Sequence, residues 1–221
     1  MGKPRPRSPR GTGHELRDDL IRAAAAIHDQ SGSTDDITIR QVAEACGVSQ
    51  GAIYLHFSSR DEMIYDLARD RFNAHYDERI EQMSDVTDPL ERISRYGDAY
   101  FDFALDNRRL FHALMMGDGN EKNPTRYDGV ELIENTRLAG MVDEVRAAMD
   151  AGAIASGIPE LVACMLWMAI HGAVALIISL PGYPFPSADF IRQVMDEFIA
   201  NAIKHPLGND LIAAAMTDRS E

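Results

Sequence analysis

Residues 38–57 read Thr-Ile-Arg-Gln-Val-Ala-Glu-Ala-Cys-Gly-Val-Ser-Gln-Gly-Ala-Ile-Tyr-Leu-His-Phe, and this stretch decides the fold. Thr38 with Gln41 three residues later is a capping box, in which each side chain satisfies a backbone N–H that the first helical turn leaves unpaired. Val42, Ala43 and Cys46 then share one face of a helix. Gly47 ends it, because glycine adopts the left-handed backbone of a helix C-terminus without a steric penalty. Val48 fills the turn, and Ser49 caps a second helix. In that helix Ala52, Ile53 and Phe57 are placed to face inward, and Gln50, Gly51, Tyr54 and His56 to face out. Two short helices joined by a tight turn containing glycine form a helix-turn-helix. The outward face of the second is small, hydrogen-bonding and aromatic, which suits a DNA major groove.

The flanks are helical too. Residues 14–31 carry Leu16, Leu20, Ile21, Ala24 and Ile27 on one side until Gly32. Ser33 to Asp36 is a polar connector whose acids suit the start of the next helix. Ser59 followed by Glu62 predicts a second capping box, opening a long helix to about Met83 with Ile64, Leu67, Ala68, Phe72, Tyr76 and Ile80 at helical spacing. After a break at Asp85–Pro89, a helical period runs from Leu90 to Asp106, and Asn107 is placed to cap a short helix through Leu110, Phe111, Leu114 and Met115. A polar loop from Gly117 to Gly129 precedes a helix from Val130 to about Ala151, with Ile133, Met141, Val145 and Met149 inward. Pro181–Pro186 reads as a rigid loop, and Ser187 caps a last helix carrying Phe190, Ile191, Val194, Phe198, Ile199, Ala202 and Ile203.

Between them, Leu161–Pro181 holds no charged residue. It is long enough to span a membrane. Against that, it contains His171 and a face of small residues (Ala169, Gly172, Ala173), and no cluster of Lys or Arg flanks it. An all-apolar helix also fits a subunit interface, which is the reading adopted, with no membrane. The expected architecture is all-α, about nine helices. A flexible basic arm (1–13) precedes a compact three-helix domain (14–60), a larger helical bundle (61–206) and a tail (207–221).

Net charge is −13 over 221 residues, an odd balance for a DNA binder. Its distribution resolves this. Residues 1–60 hold 8 basic and 7 acidic side chains, whereas residues 61–221 hold 14 and 28. A basic tip on an acidic body fits one end facing phosphate. The arm, with four cations in residues 1–14, either follows DNA or is a passive tail. Cys46 and Cys164 fall in apolar helical patterns and read as buried thiols of a cytoplasmic protein. The N-terminus lacks the apolar core of a signal peptide. Gly47-Val48-Ser49-Gln50-Gly51 matches G-x-S-x-G, but that nucleophile elbow needs a strand before the serine, and here a capped helix precedes it. The seven histidines lack metal-ligand spacing. No enzyme, cofactor or metal is expected.

Ala23-Ala24, Thr38, Val42-Ala43, Gly47-Val48-Ser49, Gly51, Tyr54, His56-Phe57, Ser59-Arg60-Asp61 and Met63 together resemble the DNA-binding domain of the TetR family of bacterial transcriptional regulators. The chain departs from the family pattern at His28, Ser33 and Cys46, and its connector before Thr38 is one residue longer. The segment Leu166-Trp-Met-Ala-Ile-His-Gly172, with Phe101-Asp-Phe-Ala-Leu and Leu110-Phe111, is similar to a C-terminal class named for its Trp, His and Gly.

The resemblance implies DNA contacts residue by residue. Thr38 would hold a phosphate at a helix N-terminus, with Arg40 beside it. Tyr54 and His56 would touch the backbone, and Arg60 would pair with a phosphate. Behind the Ser49 cap, Gln50 would read an adenine edge, Gly51 would allow close approach, and Ala52 would meet a thymine methyl. Thr38 and Ser49 also read as plain helix caps, and Tyr54 as core. Tyr96, Tyr100, Phe103, Phe111, Met115, Trp167 and His171 are candidates for binding a small hydrophobic effector, and each also reads as ordinary core. The implied function is a ligand-responsive regulator, a repressor. It would hold a near-palindromic double-stranded DNA operator as a homodimer joined through helices at about 160–180 and 187–204, and a small molecule would release it.

Overall fold

The computed structural model describes residues 13–116 and 137–180, together with eight positions of a helical segment between 189 and 200. The helices are α1 (Gly13–Ser31), α2 (Ile39–Cys46), α3 (Gln50–Ile53), α4 (Arg60–Glu81), α5 (Pro89–Asp106), α6 (Arg108–Met115), α7 (Arg137–Asp150) and α8 (Pro159–Ser179), with one 3₁₀ turn at Thr34–Asp36. No strand occurs among the described residues, so the all-α expectation holds there. The arm at 1–12, the loop at 117–129, residues 130–136 with Ile133, the Pro181–Pro186 loop and the tail lie outside the described residues, as do Ile191, Phe198, Ile199, Ala202 and Ile203 of the last helix.

The chain divides into two compact units, one of residues 1–74 and 107–126, the other of 75–106 and 127–221. The division falls inside α4, and α6 goes with the first unit.

In the first unit α1 packs on α2, and α2 on α3. Leu20, Ile21 and Ala24 of α1 are buried together with Ile37, Val42, Ala43, Ile53, Phe57, Met63, Ile64 and Leu67. Gly32 ends α1 with positive φ, its N–H bonded to the His28 carbonyl at 2.7 Å. The polar connector folds as the 3₁₀ turn, capped by Ser33 Oγ accepting from Asp35 N. Arg109 of α6 pairs with Asp35 of that turn. Cys46 is half-buried, not buried, with Sγ 3.5 Å from the Asp19 carbonyl. Cys164 is also half-buried, and both thiols are free.

Two expected caps differ in detail. Ser59 Oγ does accept from Glu62 N, but Glu62 returns its carboxylate to the N–H and hydroxyl of Ser58. The reciprocal bond is displaced by one residue because Ser58 offers two donors to one carboxylate. Asn107 precedes α6 without a side-chain capping bond. Its φ of −126° and ψ of 45° lie away from the extended backbone that lets a cap reach forward.

In the second unit α5 packs on α7 and α8, and α7 on α8. Arg92 grips Glu144 of α7 through Nε and Nη2 and donates from Nη1 to the carbonyls of Met83 and Val86. One planar fork thus ties α5 to α7 and closes the turn after α4. Met141 and Val145 are buried as expected, with Val142 and Ala148, while Met149 is half-buried. On α8 the buried residues are Ala163, Leu166, Ile170 and Val174, a single stripe. The helix is long and apolar enough to cross a membrane by length and composition, yet that stripe packs within the bundle.

Two glycines set the helix separations. A Cβ at Gly97 would stand 2.6 Å from Ile170 Cδ1, and one at Gly140 would stand 2.3 Å from the Tyr96 hydroxyl. Overpacking of this kind costs about 1–3 kcal/mol. Gly97→Ala should therefore lower the urea-unfolding free energy by about that amount. Adding Ile170→Val, which removes the obstructing methyl, should return most of the loss.

Candidate nucleic-acid interface

The helix-turn-helix forms through the local chemistry its sequence carries. Thr38 Oγ1 accepts from Gln41 N at 3.2 Å, and Gln41 Oε1 accepts from Thr38 N at 3.2 Å. Gly47 adopts φ 65°, ψ 32°, and the Val48 N–H reaches back to the Ala43 carbonyl at 3.0 Å. Ser49 Oγ accepts from Ala52 N at 3.2 Å. The serine of G-x-S-x-G is thus a cap following a helix, and the nucleophile-elbow geometry is absent.

The second helix is shorter than expected. α3 ends at Ile53, and the chain to Phe57 continues in tightened turns, with Leu55 N bonded to the Ala52 carbonyl and His56 N to that of Ile53. A four-residue helix gains too few bonds to propagate, so Ile53 and Phe57, buried to 0 % and 1 % exposure, fix it by packing. The same packing turns Tyr54 outward at 56 % exposure, excluding the core reading for that tyrosine.

Thr38, Arg40, Ser49, Gln50, Gly51 and Tyr54 are exposed, and Ala52, His56 and Arg60 are half-buried. Arg40 holds Glu44 one turn away at 3.3 Å. Arg60 has partners inside the first unit, including Asp61 at 3.5 Å from its Nη1. Its Nε donates to the Ile37 carbonyl at 2.6 Å and its Nη2 to that of Thr34, so the guanidinium ties the start of α4 to the connector. Leu55 was missed by pattern reading. It is 84 % exposed, between Tyr54 and His56. Its one legible signal was an apolar residue at an outward position of the turn.

Three of the effector candidates meet in the second unit. Tyr100 and His171 meet through a hydroxyl-to-Nδ1 hydrogen bond of 2.7 Å, and Trp167 stacks near the same imidazole with ring centres 5.4 Å apart. Tyr96 packs against Gly140 and accepts the Tyr76 hydroxyl on its carbonyl. Phe103 lies beside His75, at 5.8 Å between ring centres. Phe111 and Met115 belong to α6 in the first unit.

One cavity among the described residues, about 370 Å³, is lined by Arg79, Gln82, Met83, Arg95, Asp98, Ala99, Asp102 and Arg192. None of the seven candidates lines it, and its wall is charged, not apolar. Arg192 donates to Asp102 at 2.6 Å and pairs with Asp98 at 2.8 Å in a geometry that is not an aligned hydrogen bond. Burial pushes the Asp98 carboxyl above its ordinary range. Arg192 opposes this, and Asp196 and Asp102 reinforce it. Among the described residues no group of His, Cys, Asp and Glu is arranged to hold a metal ion.

Residues 20–67 match the family model described as bacterial regulatory proteins, tetR family, and residues 93–202 match the tetracyclin repressor-like C-terminal domain. That second model does not bear the Trp-His-Gly name. The transcriptional repressor KstR2 of Mycolicibacterium smegmatis is 28 % identical over 92 residues, covering 42 % of this chain and 44 % of that protein. The regulator HbdR of Aromatoleum sp. strain CIB is 27 % identical over 152 residues, covering 68 % of this chain and 64 % of HbdR. The matches thus span less than half of KstR2 and under two thirds of HbdR. A structure of a protein of unknown function from Rhodococcus sp. RHA1 is 25 % identical with a TM-score of 0.63, covering 86 % of this chain and 96 % of that one. A regulator from Saccharomonospora viridis, solved with choline, is 18 % identical with a TM-score of 0.64 over 87 % of this chain and 99 % of its own.

Burial pushes the His171 imidazole below its ordinary value of 6.5. A base held neutral on folding binds fewer protons than in the unfolded chain, so stability rises with pH across that window. The contribution is intact above about pH 6.5, falls as pH drops toward the lowered folded value, and is constant below it. His171→Gln, which keeps a hydrogen-bonding group beside Tyr100, should flatten this part of the pH dependence of the urea midpoint between pH 7.5 and pH 5.5 (about one unit either side of the ordinary histidine value).

Proposed function

The chain belongs to the TetR family of bacterial regulatory proteins, a family of regulators and not of enzymes, and from that premise we propose that it is a cytoplasmic, ligand-responsive repressor that binds its operator as a homodimer. The observation that carries this reading is where large apolar side chains are left in solvent. Among the described residues they are Tyr54 and Leu55 in the recognition turn, Met168, Leu176 and Leu180 at α8, and Phe190 and Val194 in the last helical segment. Uncovered apolar surface marks places where partners bind. The first group faces a DNA groove and the second a second copy of the chain.

In this reading Gln50, Gly51 and Ala52 approach base edges, Tyr54 and His56 lie along the phosphate backbone, and Thr38 and Arg40 meet phosphate at the start of α2. Ser49 holds the recognition turn in place. Arg60 contributes mainly by bracing the connector, with its remaining N–H groups toward phosphate. Leu55 adds apolar contact with sugar or a thymine methyl. The half-sites lie about one helical turn apart on a near-palindrome, as a two-fold dimer requires. The apolar outer face of α8 is an interface between copies and not a membrane span, since its inner stripe is already packed against α5 and α7. Domain boundaries follow: an arm to about residue 13, a DNA-binding head to about residue 60, and an effector and dimerisation bundle to about residue 206.

The effector region takes Tyr100, Trp167 and His171 as its centre, where an imidazole held neutral by burial faces a phenol. The ligand acts on α4, the one helix among the described residues that runs from one unit into the other. A difference of about 1–3 kcal/mol in effector affinity between DNA-competent and released forms suffices for a large change in operator occupancy. RolR, with which this chain shares 14 % identity, was solved with resorcinol. A small aromatic or otherwise largely apolar molecule fits the same reading here.

Two measurements test the DNA-binding part. Affinity for an operator selected from random DNA should fall steeply as salt rises, because bound phosphates release counterions. Tyr54→Ala should leave stability within about 0.5 kcal/mol of wild type, as expected for an exposed side chain, while weakening operator binding. A flat salt response, or a Tyr54→Ala protein that loses stability but binds normally when folded, would contradict the docking.

A further inference from the structure

Asp66, near the start of α4, is 1 % exposed and is the one buried charged side chain among the described residues. Its Oδ2 pairs with Arg17 Nη2 of α1, and Arg69 Nη1 stands 3.2 Å from its Oδ1. The same Arg17 lays its guanidinium over the Phe57 ring, 4.5 Å from the ring centre. Phe57 is 1 % exposed, and its N–H closes the recognition turn on the Ile53 carbonyl at 3.0 Å. One guanidinium therefore joins three pieces of the first unit: its edge meets the α4 carboxylate, its plane meets the ring that ends the recognition turn, and its stem belongs to α1.

A buried ion pair adds little stability compared with apolar residues of the same volume. Its effect is geometric, because the carboxylate has few tolerable positions once it has left water. Arginine is suited to this place because it offers a hydrogen-bonding edge and a stacking face together, while lysine offers a point charge. Tyr54, Leu55 and His56 immediately precede the clamped ring. Asp66 is enclosed and has no route to DNA, so any influence it has on sequence recognition must pass through position.

We propose that Arg17 and Asp66 are positioning residues for operator recognition, setting the pose of the recognition turn through Phe57 and making α4 the element that aims it. This rests on the DNA-binding reading above and adds the contact through which α4 acts. The expectation is a loss of discrimination between operator and other DNA, with general attraction to the duplex retained.

The test compares wild type with Asp66→Asn, Arg17→Gln, the double variant and Arg17→Lys. Dissociation constants are measured for the selected operator and for a scrambled duplex of equal length, below every variant's unfolding temperature. Each single variant should lose about tenfold in operator affinity, a size usual for coupled neighbours, with scrambled-duplex affinity unchanged. The double variant should lose no more than either single. Arg17→Lys, which keeps a charge for Asp66 but no plane for Phe57, should fall between wild type and Arg17→Gln. Equal losses on both duplexes would overturn the proposal, as would a double-variant loss equal to the product of the singles. So would a reduced salt slope in Arg17→Gln alone, which would make Arg17 a direct phosphate contact. If Asp66→Asn does not fold, Arg17→Lys decides, and full operator affinity in it contradicts the proposal. A wild-type protein that prefers no duplex would instead remove the DNA-binding reading itself.

Discussion

The left-handed backbone at Gly47 is the constraint on which the first unit depends. With φ at 65° it ends α2 within one residue and lets Ser49 begin α3 after a single intervening side chain. The two helices are then short, close and fixed in angle, and Ile53 and Phe57 can be buried only by sending Tyr54 and Leu55 outward. A residue with a Cβ would meet no neighbour at this position. The demand for glycine is therefore conformational, not a matter of space. The turn thereby puts small and aromatic side chains on one exposed edge.

This part of the structure was legible in the sequence because it is built from rules that act over three or four residues. The Thr38–Gln41 box, the Gly47 stop and the Ser49 cap all formed as written. What was not legible acts over long separations. The bonds from Arg60 Nε and Nη2 to carbonyls 23 and 26 positions earlier in the chain follow from no local rule. Arg17 and Asp66 stand 49 positions apart, and no local rule pairs them. The split Ser58–Ser59 cap and the missing cap at Asn107 are smaller failures of the same kind, decided by local backbone angles that residue type alone does not fix.

The second unit was legible as helices but not as a site. Residue type named seven aromatic, methionine and histidine candidates, and packing shows Tyr100, Trp167 and His171 in contact. Nor does periodicity reveal the close approaches at Gly97 and Gly140, where a missing Cβ sets the distance between helices. The apolar run of α8 shows why composition underdetermines function. The same sequence satisfies a membrane span, a core helix and an interface, and the fold adds that its surface divides into a buried stripe and an uncovered face.

In the function we propose, the Gly47 turn presents a DNA-reading edge, twice, in a symmetric pair. Selection of bound duplexes from a random pool, followed by footprinting of the enriched sequence, tests this most directly. A symmetric pair should enrich a near-palindrome, with two protected major-groove segments centred about 10 base pairs apart. An absence of enrichment, or protection confined to one isolated half-site, would contradict it.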